Sequence, residues 1–304
     1  DLHTAYRRQR QMCIRDSYIN VKIKILLVLI VVYPLLFLFQ GGDLTDVGFH
    51  CTNYMYFDDF ISFYDGQFYM MILTNYIGHF WYKLFSEAGL LSFKILYLIF
   101  LYGSLFISYL ILNTSFKNQT QILFGLFFGE VFVTRYTSFV FSYDIASWFF
   151  LTLSIFFFLC SLNKKSLSFA IFCGFSVALA SLCRAPSFAA ISIGLLYFFS
   201  EKLNSGKTKT MFLMAFIFGL ACFLYAAFIF LDLDISTLSN ILNNANNYGN
   251  GNNALINIYG YFYDFLSLIL CLFFFLVFFY LFQKTELFFK KSLQLSLIHI
   301  SEPT

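Results

Sequence analysis

Apolar runs long enough to cross a bilayer recur along most of this chain, and the charged residues between them are sorted by sign. Crossing about 30 Å of hydrocarbon takes roughly 20 mostly apolar residues in a helix. The 304-residue chain is 60% hydrophobic and only 12% charged, with mean hydropathy +0.75. A soluble domain carries about twice that share of charge. The expected fold is therefore all-α, a polytopic transmembrane helix bundle.

The runs predict spans over Lys22–Phe39, Leu90–Leu112, Ile122–Thr134, Asp144–Leu162, Leu167–Cys183, Ser187–Ser200, Met211–Leu231 and Tyr263–Phe282, with Gly41–Gly42 closing the first. That is about eight spans if Gln67–Phe85 does not cross. Gln67–Phe85 is long enough to cross, but Asn75, His79, Trp81 and Lys83 interrupt it, as in an interfacial amphipathic helix. Lysine placement decides between the two. With Lys22 and Lys24 cytoplasmic and Gln67–Phe85 lying flat, Lys117, Lys164, Lys165, Lys202, Lys207, Lys209, Lys284, Lys290 and Lys291 all fall on the cytoplasmic side. The acids Asp43, Asp46, Asp58, Asp59, Asp65, Asp144, Asp232, Asp234 and Asp264 then face outward. Ser187–Ser200 is short for a full span and is expected to be tilted or broken. Asn240–Asn257 is an Asn/Gly-rich outer loop that cannot bury enough apolar surface to fold alone.

The two ends read as foreign to the rest. Met12–Ser17 can be coded ATG TGT ATA AGA GAC AG, and the frame-shifted reverse complement translates as Leu295–Ile300. Ends related as opposite strands of one DNA element resemble a transposase-based library adapter. Residues 1–17 and 295–304 are accordingly set apart as adapter-derived, and 18–294 as a truncated transmembrane domain. The alternative is a basic N-terminal arm with a short tail.

Several polar residues stand where chemistry is plausible. Asp43 and Asp46, three residues apart, sit just outside the first span, where a carboxylate can take a proton from an incoming hydroxyl. Glu130, Arg135 and Asp144 flank the outer turn between the third and fourth spans; ionisable groups at that depth are functional or mutually paired, here as Arg135–Asp144 or Arg135–Glu130. Arg184 lies in Cys-Arg-Ala-Pro, where Pro186 breaks the helix, and a guanidinium there suits a lipid phosphate. His50 and His79 have no partners at ligand spacing, so no histidine metal site is expected, although the outer aspartates could hold a divalent cation through oxygen. Most of the seven cysteines lie inside apolar runs, and no CxxC occurs. No basic patch interleaved with aromatics points to nucleic acid. Walker A, GxSxG, GxGxxG and HExxH motifs are absent.

One span, an acidic outer loop, an interfacial helix and a hairpin with Arg and Asp at its outer turn together resemble the GT-C membrane glycosyltransferases, a group that includes protein mannosyltransferases and bacterial aminoarabinose transferases. Gly42–Asp58 (GDLTDVGFHCTNYMYFD) is similar to the TD-(E/T)-GY-x-L-x-N-Y segment of uncharacterised bacterial membrane proteins of this kind. Asp46 matches the first carboxylate of the motif, and Gly48, Phe49, Asn53 and Tyr54 follow in the same order, while Val47 replaces the second acid of many relatives. Asp144 in SYDIASW takes the place of the second outer acid, and LASLCRAPSF matches the later Arg-x-Pro turn.

The resemblance implies transfer of a sugar from a polyprenyl-phosphate donor, on the outer face of a bacterial cytoplasmic membrane. It makes Asp46 the base supported by Asp43, with Asp144 orienting the acceptor or a cation. Arg135 and Arg184 would hold the donor phosphate, and His50, Asn53 and Tyr54 would line the substrate site. The alternatives are an envelope-polysaccharide polymerase or lipid-linked-sugar flippase, a transporter, and a non-catalytic relative, which Val47 keeps open.

Two outcomes are expected from the sequence alone. Amplifying the locus from source DNA should give a gene lacking residues 1–17 and 295–304; recovering both in frame refutes the adapter reading. A single cysteine placed at Lys117 should stay unlabelled by an impermeant thiol reagent in intact cells, and labelling there overturns the topology.

Overall fold

The computed structural model describes residues 21–40, 46–62, 66–136 and 139–230. The chain divides into two compact units, Asp1–Ala245 and Asn246–Thr304, and every described residue belongs to the first. Residues 1–17 and 295–304, the Asn/Gly-rich loop and the Tyr263–Phe282 run lie outside the described residues. Among those described, every regular element is helical.

Helix α1 covers residues 21–35. It closes ahead of Gly41–Gly42, because Pro34 has no N–H to donate and the chain tightens into i→i+3 turns: Phe37 N–H to Pro34 O at 3.1 Å and Leu38 N–H to Leu35 O at 3.2 Å. Three carbonyls just past the end of the helix converge on one side chain. Lys94 is buried; its Nζ donates to Phe37 O at 3.2 Å, to Leu38 O at 2.8 Å and to Gln40 O. A cation at the negative end of a helix, holding orphan carbonyls, is favourable on both counts.

Four short helices follow: α2 (Asp46–Met55), α3 (Phe57–Ser62), α4 (Gly66–Tyr69) and α5 (Ile72–Phe85). Gln67–Phe85, expected as one helix, is broken at Met70–Met71. The 14 residues of α5 rise about 21 Å, less than the hydrocarbon thickness. Its inner face buries Ile72, Thr74, Asn75, Gly78 and His79, while Phe80 and Leu84 are exposed.

The long helices come next: α6 (Leu90–Ser115), α7 (Gln119–Tyr136), α8 (Tyr143–Lys164) and α9 (Leu167–Cys183). Gly89, at φ +53°, makes the sharp entry into α6, a conformation that side chains other than glycine rarely adopt. A 3₁₀ segment, Ala185–Ile191, leads into α10 (Ser192–Phe199), and α11 (Gly206–Phe230) ends the described chain. The Ser187–Ser200 run is thus broken, half 3₁₀ and half α, with Pro186 at its start. Helices α6, α8 and α11 are each long and apolar enough to cross a membrane. Helix α9 and the Ala185–Phe199 stretch are shorter apolar helices.

Two cores form. One joins α1, α2 and α6–α8 through residues such as Tyr54, Phe93, Leu101, Leu126 and Phe141. The other joins α8–α11 through Cys173, Val177, Tyr197 and Phe216. In lipid the drive to associate comes from close packing rather than from water, so small residues gather at the interface. Ala170, Gly174 and Ala178, spaced four apart on α9, are all buried. A Cβ on Gly174 would sit 2.0 Å from Phe216 O, and one on Gly219 of α11 would sit 2.1 Å from Ile171 O. Each helix therefore presses a glycine against the other's backbone.

This contact generates a paired test. Gly174→Ala should destabilise the fold by about 1–3 kcal/mol or more, since backbone must move to admit the methyl group. Gly125→Ala, where nothing lies within 4 Å of an added Cβ, should be neutral or slightly stabilising through lost unfolded-state entropy. Thermal inactivation midpoints in detergent compare the two; equal midpoints would refute the close approach.

Candidate functional site

The site begins with how α2 is fixed. His50, Asn53 and Tyr54 fall three and four residues apart and share one buried face. Tyr54 is fully buried. Its hydroxyl donates to Phe141 O at 2.8 Å, and its own carbonyl is hydrogen-bonded to His79 Nδ1 at 2.8 Å. Its ring occupies the space a side chain at Gly78 would need, with Tyr54 Cδ1 only 2.4 Å from an added Cβ. Phe93 and Phe141 close around the ring at centroid distances of 5.2 and 6.0 Å. Burial raises the phenol well above its ordinary pKa. Tyr54 thus reaches no open site through its hydroxyl; it ties α2 to the loop ahead of α8.

That loop is pinned a second time by Phe141 N–H donating to Phe93 O at 3.2 Å. Together the two bonds set the start of α8, where Tyr143 and Asp144 occupy the first turn and a carboxylate complements the helix dipole. The Arg184 turn arrives from the other side. It is held by Ala185 N–H to Met70 O at 3.1 Å, Thr74 Oγ1 to Cys183 O at 3.1 Å, and Ser147 Oγ against Ser187 Oγ at 2.5 Å. Arg184 Nη1 then meets Asp144 Oδ1 at 2.5 Å, with the guanidinium 5.4 Å from the Tyr143 ring centre. Both partners are about half exposed, so the pair adds little to stability, on the order of 0–1 kcal/mol. Its effect is to aim the guanidinium.

Between these elements lies a cavity of about 310 Å³. Phe49 and His50 of α2, Met70 and Met71 of the α4–α5 turn, Tyr143 of α8, and Arg184, Ala185 and Pro186 line it. His50 is 3% exposed, and its Nδ1 has no hydrogen-bond partner. Burial lowers its pKa to about 4, so the imidazole is neutral near pH 7 and offers an unpaired nitrogen beside the cavity. The ring lies edge-on to Tyr143 at 5.0 Å. Asn53 Nδ2 is likewise buried without a partner. Cys51 is no nucleophile at neutral pH, as burial pushes its thiol up to about 11.

The structure therefore joins Asp144 to Arg184 and brings His50 to the same cavity. Asp46 opens α2, one turn before Phe49 and His50, and Arg135 lies in the last turn of α7; their side chains, and Asp43 altogether, lie outside the described residues. Both Glu130 carboxylate oxygens are buried without a hydrogen-bond partner; the expected pairings of Arg135 fall on a side chain outside the described residues. Among the described residues no group of three or more His, Cys, Asp or Glu side chains is placed to hold a metal. Asp58 instead faces Lys83 at 3.6 Å and His79 at 3.8 Å. Tyr143, Met70 and Met71 were not picked out by sequence reasoning. Tyr143 has a signal, since it stands beside Asp144; the methionines have none, because the helix break that brings them to the cavity wall carries no mark in the sequence.

No protein-family model, no curated protein and no solved structure matches this chain.

Proposed function

We propose that this chain is a membrane glycosyltransferase of GT-C kind, about eight spans with an interfacial helix, moving a sugar from a polyprenyl-phosphate donor to an extracytoplasmic acceptor. The observation that carries the reading is the meeting of three separate segments, GFHCTNY, SYDIASW and LCRAP, at one cavity whose wall includes His50, Tyr143 and Arg184. The α8–α9 hairpin brings SYDIASW and LCRAP to one end of the body, and GFHCTNY joins them from α2, a separate part of the chain.

In this reading Asp46 takes the proton from the acceptor hydroxyl as its oxygen bonds to the anomeric carbon of the sugar. The bond from that carbon to the phosphate oxygen breaks, and polyprenyl phosphate leaves with the bonding electrons. The growing negative charge is met by Arg184, helped by Arg135. Arg184 can serve although Asp144 holds it, because a guanidinium has five N–H donors and one carboxylate leaves some of them unused. Asp144 keeps the fork turned toward the cavity. His50, neutral, accepts or donates a single hydrogen bond to a sugar hydroxyl according to its tautomer, and the faces of Phe49 and Tyr143 suit the apolar side of a sugar ring. The buried, unpaired Glu130 is the observation that favours a flippase or another transport reading instead.

The reading is tested by incorporation of labelled sugar from a polyprenyl-phosphate donor, in membranes carrying the protein. Asp46→Asn should lower incorporation by roughly 10²–10⁴-fold, the usual weight of a general base. Arg184→Ala should lower it by about 10²–10³-fold. Both variants should accumulate normally. Undiminished incorporation by Asp46→Asn removes Asp46 as the base.

A further inference from the structure

Glu130 is fully buried, and it is the one buried carboxylic acid among the described residues. It stands on α7, six residues before the end of that helix, so about 9 Å of helix separates it from the loop beyond. Neither carboxylate oxygen has a hydrogen-bond partner. Among the described residues no Lys, Arg or His side chain is seen in an ion pair with it.

Its surroundings are hydroxylic rather than charged. Thr134, one turn on, gives its hydroxyl to the Glu130 main-chain carbonyl at 2.8 Å and lies 3.4 Å from the Tyr33 hydroxyl of α1. Tyr102 of α6 lies close enough to feel the Glu130 charge, and its hydroxyl donates to Val31 O at 2.7 Å. Among the described residues, the titratable groups placed near it are Tyr102 and, through Thr134, Tyr33. With its proton already given to Val31, the Tyr102 oxygen retains acceptor capacity. A bare carboxylate here would be unpaired in a water-poor seam, the costliest state for such a group. An un-ionised acid brings no charge into that seam, so it is the less costly state for a buried carboxyl group without a partner.

We propose that Glu130 is a proton-binding site inside the membrane body: an un-ionised carboxylic acid at the seam of α1, α6 and α7, exchanging its proton with water and open to hydrophobic carbodiimides. The chemistry of that modification is balanced without a leaving group. The carboxyl oxygen bonds to the central carbon of the N=C=N unit while the acid proton passes to one nitrogen. The acyl group then shifts from oxygen to nitrogen, leaving a stable N-acylurea. Carboxylates in water are ionised at neutral pH and lack that proton.

The test uses the full chain in phosphatidylcholine vesicles at neutral pH. Infrared difference spectra between wild type and Glu130→Gln should show one un-ionised carboxylic carbonyl band, lost completely in the variant and moved to lower frequency in D₂O. Ionised-carboxylate bands in place of it overturn the proposal, and so does an acid band that D₂O never moves. Where Glu130→Gln fails to accumulate, the unaltered chain decides. Treatment with dicyclohexylcarbodiimide followed by peptide mass mapping should find a stable adduct at Glu130, and label confined to other carboxyls overturns the site.

Discussion

The arrangement around the cavity depends on how Tyr54 is seated. Its ring fills the notch left by Gly78, its hydroxyl holds the chain at Phe141, and its carbonyl is held by His79. Helix α2, the entry to α8 and helix α5 are thereby fastened through a single residue. Two of these bonds are to backbone, which cannot rotate away. The fixed ends of α2 and α8 then present His50 and Tyr143 to the cavity, and His50 Nδ1 is left without a hydrogen bond of its own. A neutral imidazole left unpaired at 3% exposure is costly, and such a cost persists only where the surrounding packing prevents relaxation.

What could be read from the sequence followed from its strongest physical signals. Long apolar runs read as helices because lipid leaves a backbone no other donor or acceptor, and α6, α8 and α11 meet that expectation. Pro186 announced the break after α9. The joining of Asp144 to Arg184 was half legible. Each was recognised as an ionisable group at a membrane boundary, but the pairing first sought for Asp144 was with Arg135, its neighbour in sequence. The Arg135 side chain lies outside the described residues; the partner described here, Arg184, comes from the far end of α9, and packing of α8 against α9 brings the two together. The split of Gln67–Phe85 was not legible, since Met70 and Met71 carry no helix-breaking signal and the bond that holds the turn, Ala185 N–H to Met70 O, comes from over a hundred residues away in sequence.

Two lysines run against the charge sorting, and the structure accounts for both. Lys83 and Lys94 lie on the same end of the body as the acidic loop. Lys83 faces Asp58, and Lys94 is absorbed by the carbonyls that end α1. A lysine counted as a free charge in a topology rule differs from one whose three N–H donors are already taken by main chain. Burial of Lys94 is therefore no exception to the cost of placing charge near lipid, because the negative end of a helix serves as its counter-ion.

The reciprocal glycines of α9 and α11 carry a consequence for how this protein varies. Gly174 and Gly219 each touch backbone of the opposite helix, not the opposite glycine. A larger residue at one position cannot be offset by a smaller one at the other, since neither has anything left to lose. Substitutions at the two sites should be separately excluded rather than mutually compensated, so the tightest helix–helix contact in the described body would leave no trace of covariation among related chains. Methods that infer contacts from compensating changes would see a gap where these two backbones actually touch.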